Sequence, residues 1–108
     1  MNSKRKGDAG ERELAEYFRS HGYGSTRNRQ MYIGGMGNPD IALGGLHCEI
    51  KRTESLRFHE SLAQAIRDAN GKAKPTLIHR RNRSPWTVTM LLTDWIDLYR
   101  AWRPPDTS

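Results

Sequence analysis

The chain has a single cysteine, Cys48, and no long run of apolar residues. One cysteine excludes both an internal disulfide and a zinc finger built on several thiolates. A membrane-spanning helix needs about 20 predominantly apolar residues, and no segment approaches that length. The N-terminus is basic and is not followed by the apolar stretch of a secretory signal, so we expect a cytoplasmic protein.

Acidic residues are also in the minority. The 108 residues include 18 Lys and Arg against 12 Asp and Glu, a formal net charge of +6. Such a protein is attracted to polyanions, most often nucleic acid. Between Ala69 and Thr93 there are basic residues and no acidic one; Arg80 ends a predicted strand, and Arg81 and Arg83 lie in the basic loop that follows it. This loop either contacts DNA phosphates or is a solvated surface.

Apolar periodicity and turn residues predict one domain, 1–108, with element order α-β-β-β-α-β-β-α. This order is typical of an α/β fold in which helices flank a central mixed sheet. The ends, 1–6 and 104–108, are expected to be flexible. The predicted helices are Asp8–Ser20, Phe58–Asn70 and one starting with Thr93 as its N-cap; the predicted strands are Tyr23–Met31, Asp40–Leu43, Leu46–Lys51, Thr76–Arg80 and Trp86–Leu92.

The dipeptide Gly44-Gly45 predicts a two-residue hairpin turn between two short strands. That turn places Leu43 opposite Leu46 and Asp40 opposite Glu49. Like charges directly opposed on a sheet are destabilising, so the acidic pair needs an explanation other than stability. Alternation along the strands separates an apolar face (Ile41, Leu43, Leu46, Cys48, Ile50) from a polar one (Asp40, Ala42, His47, Glu49, Lys51).

Two opposed carboxylates beside a lysine favour a site for a hard divalent cation. Glu11 adds a third carboxylate, since it lies near the centre of the apolar stripe of the first helix. A local alternative is a capping box between Asp8 and Glu11. His47 shares the polar face as a candidate base or ligand, although an exposed histidine is the expected interpretation, and Cys48 is expected to pack in the core.

This constellation is typical of metal-assisted phosphodiester hydrolysis. The expected metal is Mg²⁺, for which Mn²⁺ can substitute, bound by Asp40, Glu49, the Ile50 carbonyl and Glu11 directly or through water. The metal would polarise a phosphoryl oxygen and activate a water molecule. Lys51 would position or deprotonate that water, or stabilise the charge of the transition state.

Pro39-Asp40, followed after eight residues by Glu49-Ile50-Lys51, resembles the signature of the PD-(D/E)xK nuclease superfamily. The segment Lys6–Leu14 and the later His21-Gly22 resemble the archaeal-type Holliday junction resolvases, including their phage relatives. The resemblance implies a restriction-endonuclease-like fold, Mg²⁺ dependence and a homodimer that makes paired cuts in a four-way DNA junction. If the protein is phage-encoded, the resemblance implies that it acts in the host cytoplasm.

The resemblance also implies individual roles. It assigns the metal site to Glu11, Asp40 and Glu49, a catalytic role to Lys51, and DNA contacts to Arg12 and one of Arg27 or Arg29. An accessory role is implied for Gln64, the alternative being a solvated helix position. The last helix carries an aromatic stripe that suits either a dimer contact or internal core: Trp95, Leu98, Tyr99 and Trp102.

The leading hypothesis is a Mg²⁺-dependent, structure-selective DNA endonuclease of recombination and repair, a Holliday junction resolvase acting as a homodimer. One alternative keeps the site and takes flaps, nicks or ordinary duplex as the substrate. The other is a DNA-binding module without catalysis, against which the intact set Glu11, Asp40, Glu49 and Lys51 argues.

Overall fold

The computed structural model describes residues 3–23, 31–33 and 41–106. The described elements follow the predicted order α-β-β-β-α-β-β-α. They are α1 (Ser3–Ser20), β1 (Met31–Ile33), β2 (Ile41–Leu43), β3 (Leu46–Arg52), α2 (Phe58–Ala69), β4 (Lys74–Arg80), β5 (Thr87–Met90) and α3 (Leu92–Trp102). None of the helices in these ranges is long and apolar enough to cross a membrane.

The strands form a five-stranded mixed sheet in the order β1-β2-β3-β4-β5. The β3 and β4 strands are parallel, and the other neighbouring pairs are antiparallel. Parallel neighbours need a crossover connection, and α2 provides it. The predicted mixed sheet flanked by helices is confirmed, with β3 at its centre.

The hairpin register is confirmed over the described residues. Leu43 pairs with Leu46 and Ile41 pairs with Cys48. Gly45 adopts φ of 84° in the turn, a left-handed conformation that glycine reaches without a steric cost. Asp40 lies outside the described residues, so its pairing with Glu49 stays a prediction.

One face of β3 packs against α1. Leu14 and Ala15 of the helix are buried against Cys48 and Ile50, which confirms the predicted apolar face and the core position of Cys48. The helix comes close to the strand at Gly10, where an added Cβ would lie 3.1 Å from the Cβ of Arg52. A glycine at this point therefore fixes how closely α1 can approach the sheet.

The first helix begins earlier than predicted, but it ends at the predicted residue, Ser20. The helix begins at Ser3, so Asp8 lies inside it and the proposed capping box is wrong. Gly22 has φ of 93°, and the N–H of Tyr23 returns to a carbonyl of the last helical turn. This left-handed ending places Tyr23 in the helix terminus, where a strand was predicted, and the first strand is Met31–Ile33.

The other helices differ less. The α2 helix starts at Phe58 as predicted and ends in a left-handed Asn70 with φ of 50°. The α3 helix starts at Leu92 and its N-cap, Leu91, makes no side-chain cap bond, so the predicted Thr93 cap is wrong. None of the α3 side chains, all of which are described, is buried.

An ion-pair network ties α1 to the far end of β4. The Arg80 guanidinium donates from Nε to Glu13 Oε1 at 2.8 Å and from Nη2 to Glu13 Oε2 at 2.9 Å. Trp86 Nε1 donates to the same carboxylate at 3.1 Å. The Arg80 hydrogen bond is the main cause that lowers the pKa of Glu13 below its ordinary value. Since forked charge-assisted bonds are strong, this network positions α1 on the sheet.

We expect Glu13→Gln to lower the free energy of unfolding by about 1–3 kcal/mol at neutral pH, because it removes the charge that Arg80 binds. A carboxylate with a depressed folded-state pKa contributes stability above its unfolded-state pKa and loses it as the pH falls through the folded-state value. The difference between wild type and variant should therefore shrink on acidification. Urea unfolding between about pH 7 and pH 3 measures it.

The matched control for Glu13→Gln is Glu16→Gln. Glu16 lies on the same helix, but its side chain is 77% exposed and 3.6 Å from Arg19. Exposed pairs of this kind contribute little, so we expect a change of at most about 0.5 kcal/mol. Equal losses for the two variants would contradict the assignment of the network.

Candidate active site

The polar face of β3 lies on the side of the sheet that α2 covers. His47 and Glu49 are each 5% exposed. The His47 Nε2 atom lies 3.3 Å from Glu49 Oε1, within hydrogen-bonding reach. The expectation of an exposed His47 is wrong, because the crossover helix returns over this face. Water is therefore largely excluded from the carboxylate that was predicted to bind metal.

A third group approaches the pair from α2. One ligand atom each of His47, Glu49 and Asp68 lies within 4.8 Å of the others. Sequence reasoning missed Asp68, which is exposed and lies in a polar stretch of the helix. The available signal was its position four residues after Gln64, since residues at that spacing share one helix face.

Lys51 continues the same face of β3 and opens onto a cavity of about 690 Å³. Gln64 of α2 also lines this cavity, as do Thr53, Arg57 and Ser61. The structure thus brings the predicted accessory residue into the cavity of the predicted catalytic lysine. A polar cavity of this size leaves space for a phosphate group and water beside Lys51.

The remaining predicted ligands are not assembled in the described structure. Glu11 is partly exposed on α1, and α1 packs on the opposite face of β3 from Glu49. Among the described residues, Glu11 does not belong to the His47 and Asp68 group. The Ile50 side chain is buried in the α1 core, and Asp40 lies outside the described ranges. Their metal-binding roles stay predictions.

The predicted DNA-contacting arginines that the structure describes differ in exposure: one is bound within the protein, and the others are exposed. Arg80 forms an ion pair with Glu13, and its side chain is 13% exposed. Its guanidinium is therefore not free to bind a phosphate. Arg81 and Arg83 are exposed in the loop between β4 and β5, and Arg12 is exposed on α1. Arg27 and Arg29 were also predicted to contact DNA; both lie outside the described residues.

A second cavity, of about 510 Å³, adjoins the cavity that contains Lys51, and the two share Thr53, Ser55 and Leu56. Its wall includes the Phe58 ring, which meets the His79 ring edge to face at 4.9 Å. Burial lowers the pKa of His79, so its imidazole is neutral at neutral pH. The two cavities form one groove with an aromatic wall, a feature that sequence reasoning did not identify.

Neither family models nor curated protein sequences give a significant match to the chain. Among solved structures, the chain is similar to Hjc of Archaeoglobus fulgidus, described as a Holliday junction resolvase from an archaeal hyperthermophile. The two are 23% identical with a TM-score of 0.55, over 79% of this chain and 72% of that one. The chain therefore has the restriction-endonuclease-like α/β fold that it shares with an archaeal Holliday junction resolvase.

Proposed function

We propose that this chain is a metal-dependent, structure-selective DNA endonuclease, a Holliday junction resolvase that makes paired phosphodiester cuts. The observation that carries the proposal is the placement of Glu49 and Lys51 on one face of the central strand, with Lys51 opening onto a polar cavity. The shared resolvase fold supports the same activity.

The donor set fits Mg²⁺, which prefers carboxylate and carbonyl oxygens. Glu49 would hold the ion together with Asp40, Glu11 and the Ile50 carbonyl, and Mn²⁺ would replace it. When bound, the ion polarises a phosphoryl oxygen and lowers the pKa of a water ligand. Because Glu49 is largely shielded from water, its charge acts on the site more strongly than an exposed carboxylate would.

Lys51 is proposed to act on the attacking water or on the charge that develops on the phosphate. Its ammonium lies two residues beyond Glu49 on the same face of the strand, beside the cavity that would receive the scissile phosphate. A preorganised positive charge at that position stabilises the transition state without a reorganisation cost. Gln64 of α2, which lines the same cavity, would orient the water or the phosphate.

DNA contacts are proposed for the exposed arginines around the groove. Arg81 lines the second cavity and is exposed, whereas its neighbour Arg80 is bound to Glu13. Arginine suits this role because its planar guanidinium makes forked contacts with phosphate. The proposed contacts are Arg12, Arg27 or Arg29, Arg81 and Arg83.

We expect Arg81→Ala to weaken binding to all DNA substrates by a similar factor and to lower the slope of log affinity against log salt by about 1, since one phosphate contact is lost. Fluorescence anisotropy over a salt series measures both quantities. Arg19→Ala is the control, since Arg19 is 49% exposed on α1 and pairs only with nearby Glu16 among its described contacts. If the slope of log affinity against log salt is the same for Arg81→Ala as for wild type, Arg81 does not contact a phosphate.

A homodimer is proposed through the α3 stripe, which consists of Trp95, Leu98, Tyr99 and Trp102. These side chains are 45%, 46%, 42% and 70% exposed, so the alternative of an internal core is wrong for the chain by itself. Trp95 and Tyr99 stack at 5.0 Å and present a continuous aromatic surface. Sedimentation should give the mass of a dimer, and a strict monomer would contradict the proposal.

The proposed function is tested with one preparation on three substrates: a four-way junction, a flap and a linear duplex, each with Mg²⁺. We expect paired cuts in the junction and little cleavage of the duplex. Equal cutting of junction and duplex would favour the alternative endonuclease without junction preference. Tight binding without cleavage in either Mg²⁺ or Mn²⁺ would favour the non-catalytic binding module.

A further inference from the structure

We infer that His47, Glu49 and Asp68 form a binding site for a transition-type divalent cation, of which Zn²⁺ is the appropriate probe. This site is separate from the Mg²⁺ site of the proposed function, and Glu49 is the one residue that belongs to both. It combines two neighbouring side chains of the central strand with one from the crossover helix α2. Two different elements would thus be joined by the bound ion.

The distances suit a small cation. His47 Nε2 and Glu49 Oε1 are 3.3 Å apart. Bonds of about 2.1 Å from Zn²⁺ to nitrogen and oxygen that span this distance enclose an angle of about 105°, close to the tetrahedral value. Asp68 contributes a carboxylate oxygen, and one ligand atom from each of the three residues lies within 4.8 Å of the other two. Its side chain is exposed on a helix, so it is free to change rotamer when an ion binds.

Two of the three groups, His47 and Glu49, are buried, whereas Asp68 is exposed. Glu49 is 5% exposed, so a cation at its carboxylate would be screened by water less than a cation at an exposed carboxylate. A metal-binding imidazole is neutral, so one histidine and two carboxylate ligands carry a total charge of −2, which one divalent ion neutralises. Asp68 lies on the solvent side, which leaves an entry path and room for a water ligand, as in zinc sites with three protein ligands.

The imidazole decides which metals the site accepts. Nitrogen from histidine suits zinc and similar transition metals, whereas Mg²⁺ is best served by oxygen ligands alone. The His47 site is therefore expected to prefer Zn²⁺ to Mg²⁺. The set proposed for catalysis, with Asp40 and Glu11 around Glu49, has the opposite preference because all its donors are oxygen atoms.

The test is equilibrium dialysis of the full-length, metal-stripped protein with Zn²⁺ and with Mg²⁺, without DNA. Wild type should bind Zn²⁺ more tightly than Mg²⁺. Asp68→Asn removes an exposed ligand and leaves the core unchanged. Loss of a residue that only hydrogen-bonds to a metal ligand can lower metal affinity roughly 10-fold. Because Asp68 is proposed to bind the ion directly, we expect a larger loss of Zn²⁺ affinity. Glu60→Gln changes an exposed carboxylate of the same helix and should have no effect.

Two results would overturn the inference: no Zn²⁺ binding by wild type, or equal Zn²⁺ affinity in wild type and Asp68→Asn. Junction cleavage in Mg²⁺ by the same wild-type preparation reports separately on the proposed function. Junction cleavage without Zn²⁺ binding contradicts the Zn²⁺ site and supports the proposed nuclease activity. Zn²⁺ binding that depends on Asp68, without junction cleavage, supports the site and contradicts the proposed resolvase activity.

Discussion

Replacing Glu49 by glutamine should abolish Mg²⁺-dependent junction cleavage while DNA binding survives. Glutamine has nearly the same shape, so it preserves packing at this buried position and removes only the negative charge and one oxygen donor. A metal ion contributes several kcal/mol of transition-state stabilisation, and each 1.36 kcal/mol is a factor of 10 in rate. We therefore expect the cleavage rate to fall by at least about 10³-fold.

Single-turnover cleavage of a labelled junction measures the effect of Glu49→Gln, and a gel shift in Ca²⁺ measures binding. Asp40→Asn should behave in the same way if it shares the ion. Glu16→Gln is the control, because its carboxylate is 77% exposed on α1, pairs with Arg19 and does not line the cavity that contains Lys51. If Glu49→Gln still cuts the junction at the wild-type rate, the assignment of the active site is wrong.

Leu14→Ala should have the largest effect on stability. Leu14 is 1% exposed and packs against Cys48 and Ile50, beneath the strand that carries the candidate site. Truncation of a buried leucine costs about 2–5 kcal/mol, since it removes apolar contacts and leaves a cavity. Urea unfolding should show this loss as a lower midpoint at an unchanged slope.

Leu92→Ala is the control for Leu14→Ala. Leu92 is 71% exposed on α3, so its truncation should change the free energy of unfolding by no more than about 0.5 kcal/mol. Equal losses for the two variants would show that α1 does not form the core described above.

The sequence predicted the hairpin register and its two faces because both follow from local geometry. A two-residue turn fixes the pairs, and strand alternation then separates Cys48 from Glu49. The burial of His47 could not be obtained in this way. It depends on α2, which returns from a distant part of the chain to cover that face.

Long-range pairing explains the other differences at the site. Arg80 is removed from the predicted DNA surface by Glu13, which lies 67 residues earlier in the chain. No local pattern connects these two positions. Asp68 was missed for a related reason, since an exposed acid on a helix is common and acquires meaning only when β3 brings Glu49 beside it.

The helix boundaries show a different limitation. Asp8 and Glu11 match a capping pattern, but the backbone stays helical back to Ser3. Capping signals describe where a helix can begin, and a preceding stretch can extend it. The end of the same helix was predicted correctly, because Gly22 adopts the left-handed conformation for which glycine is favoured.

The exposure of α3 has a consequence for local opening. The helix has 11 residues, fewer than the 12–15 or so at which isolated helices become even marginally stable, and none of its side chains is buried. Its contacts with the sheet include two ion pairs of Lys74 in β4, with Asp97 at 2.8 Å and with Asp94 at 3.6 Å. Its amide protons should therefore exchange well before those of β3, and their protection should rise with protein concentration when the helices of two chains associate.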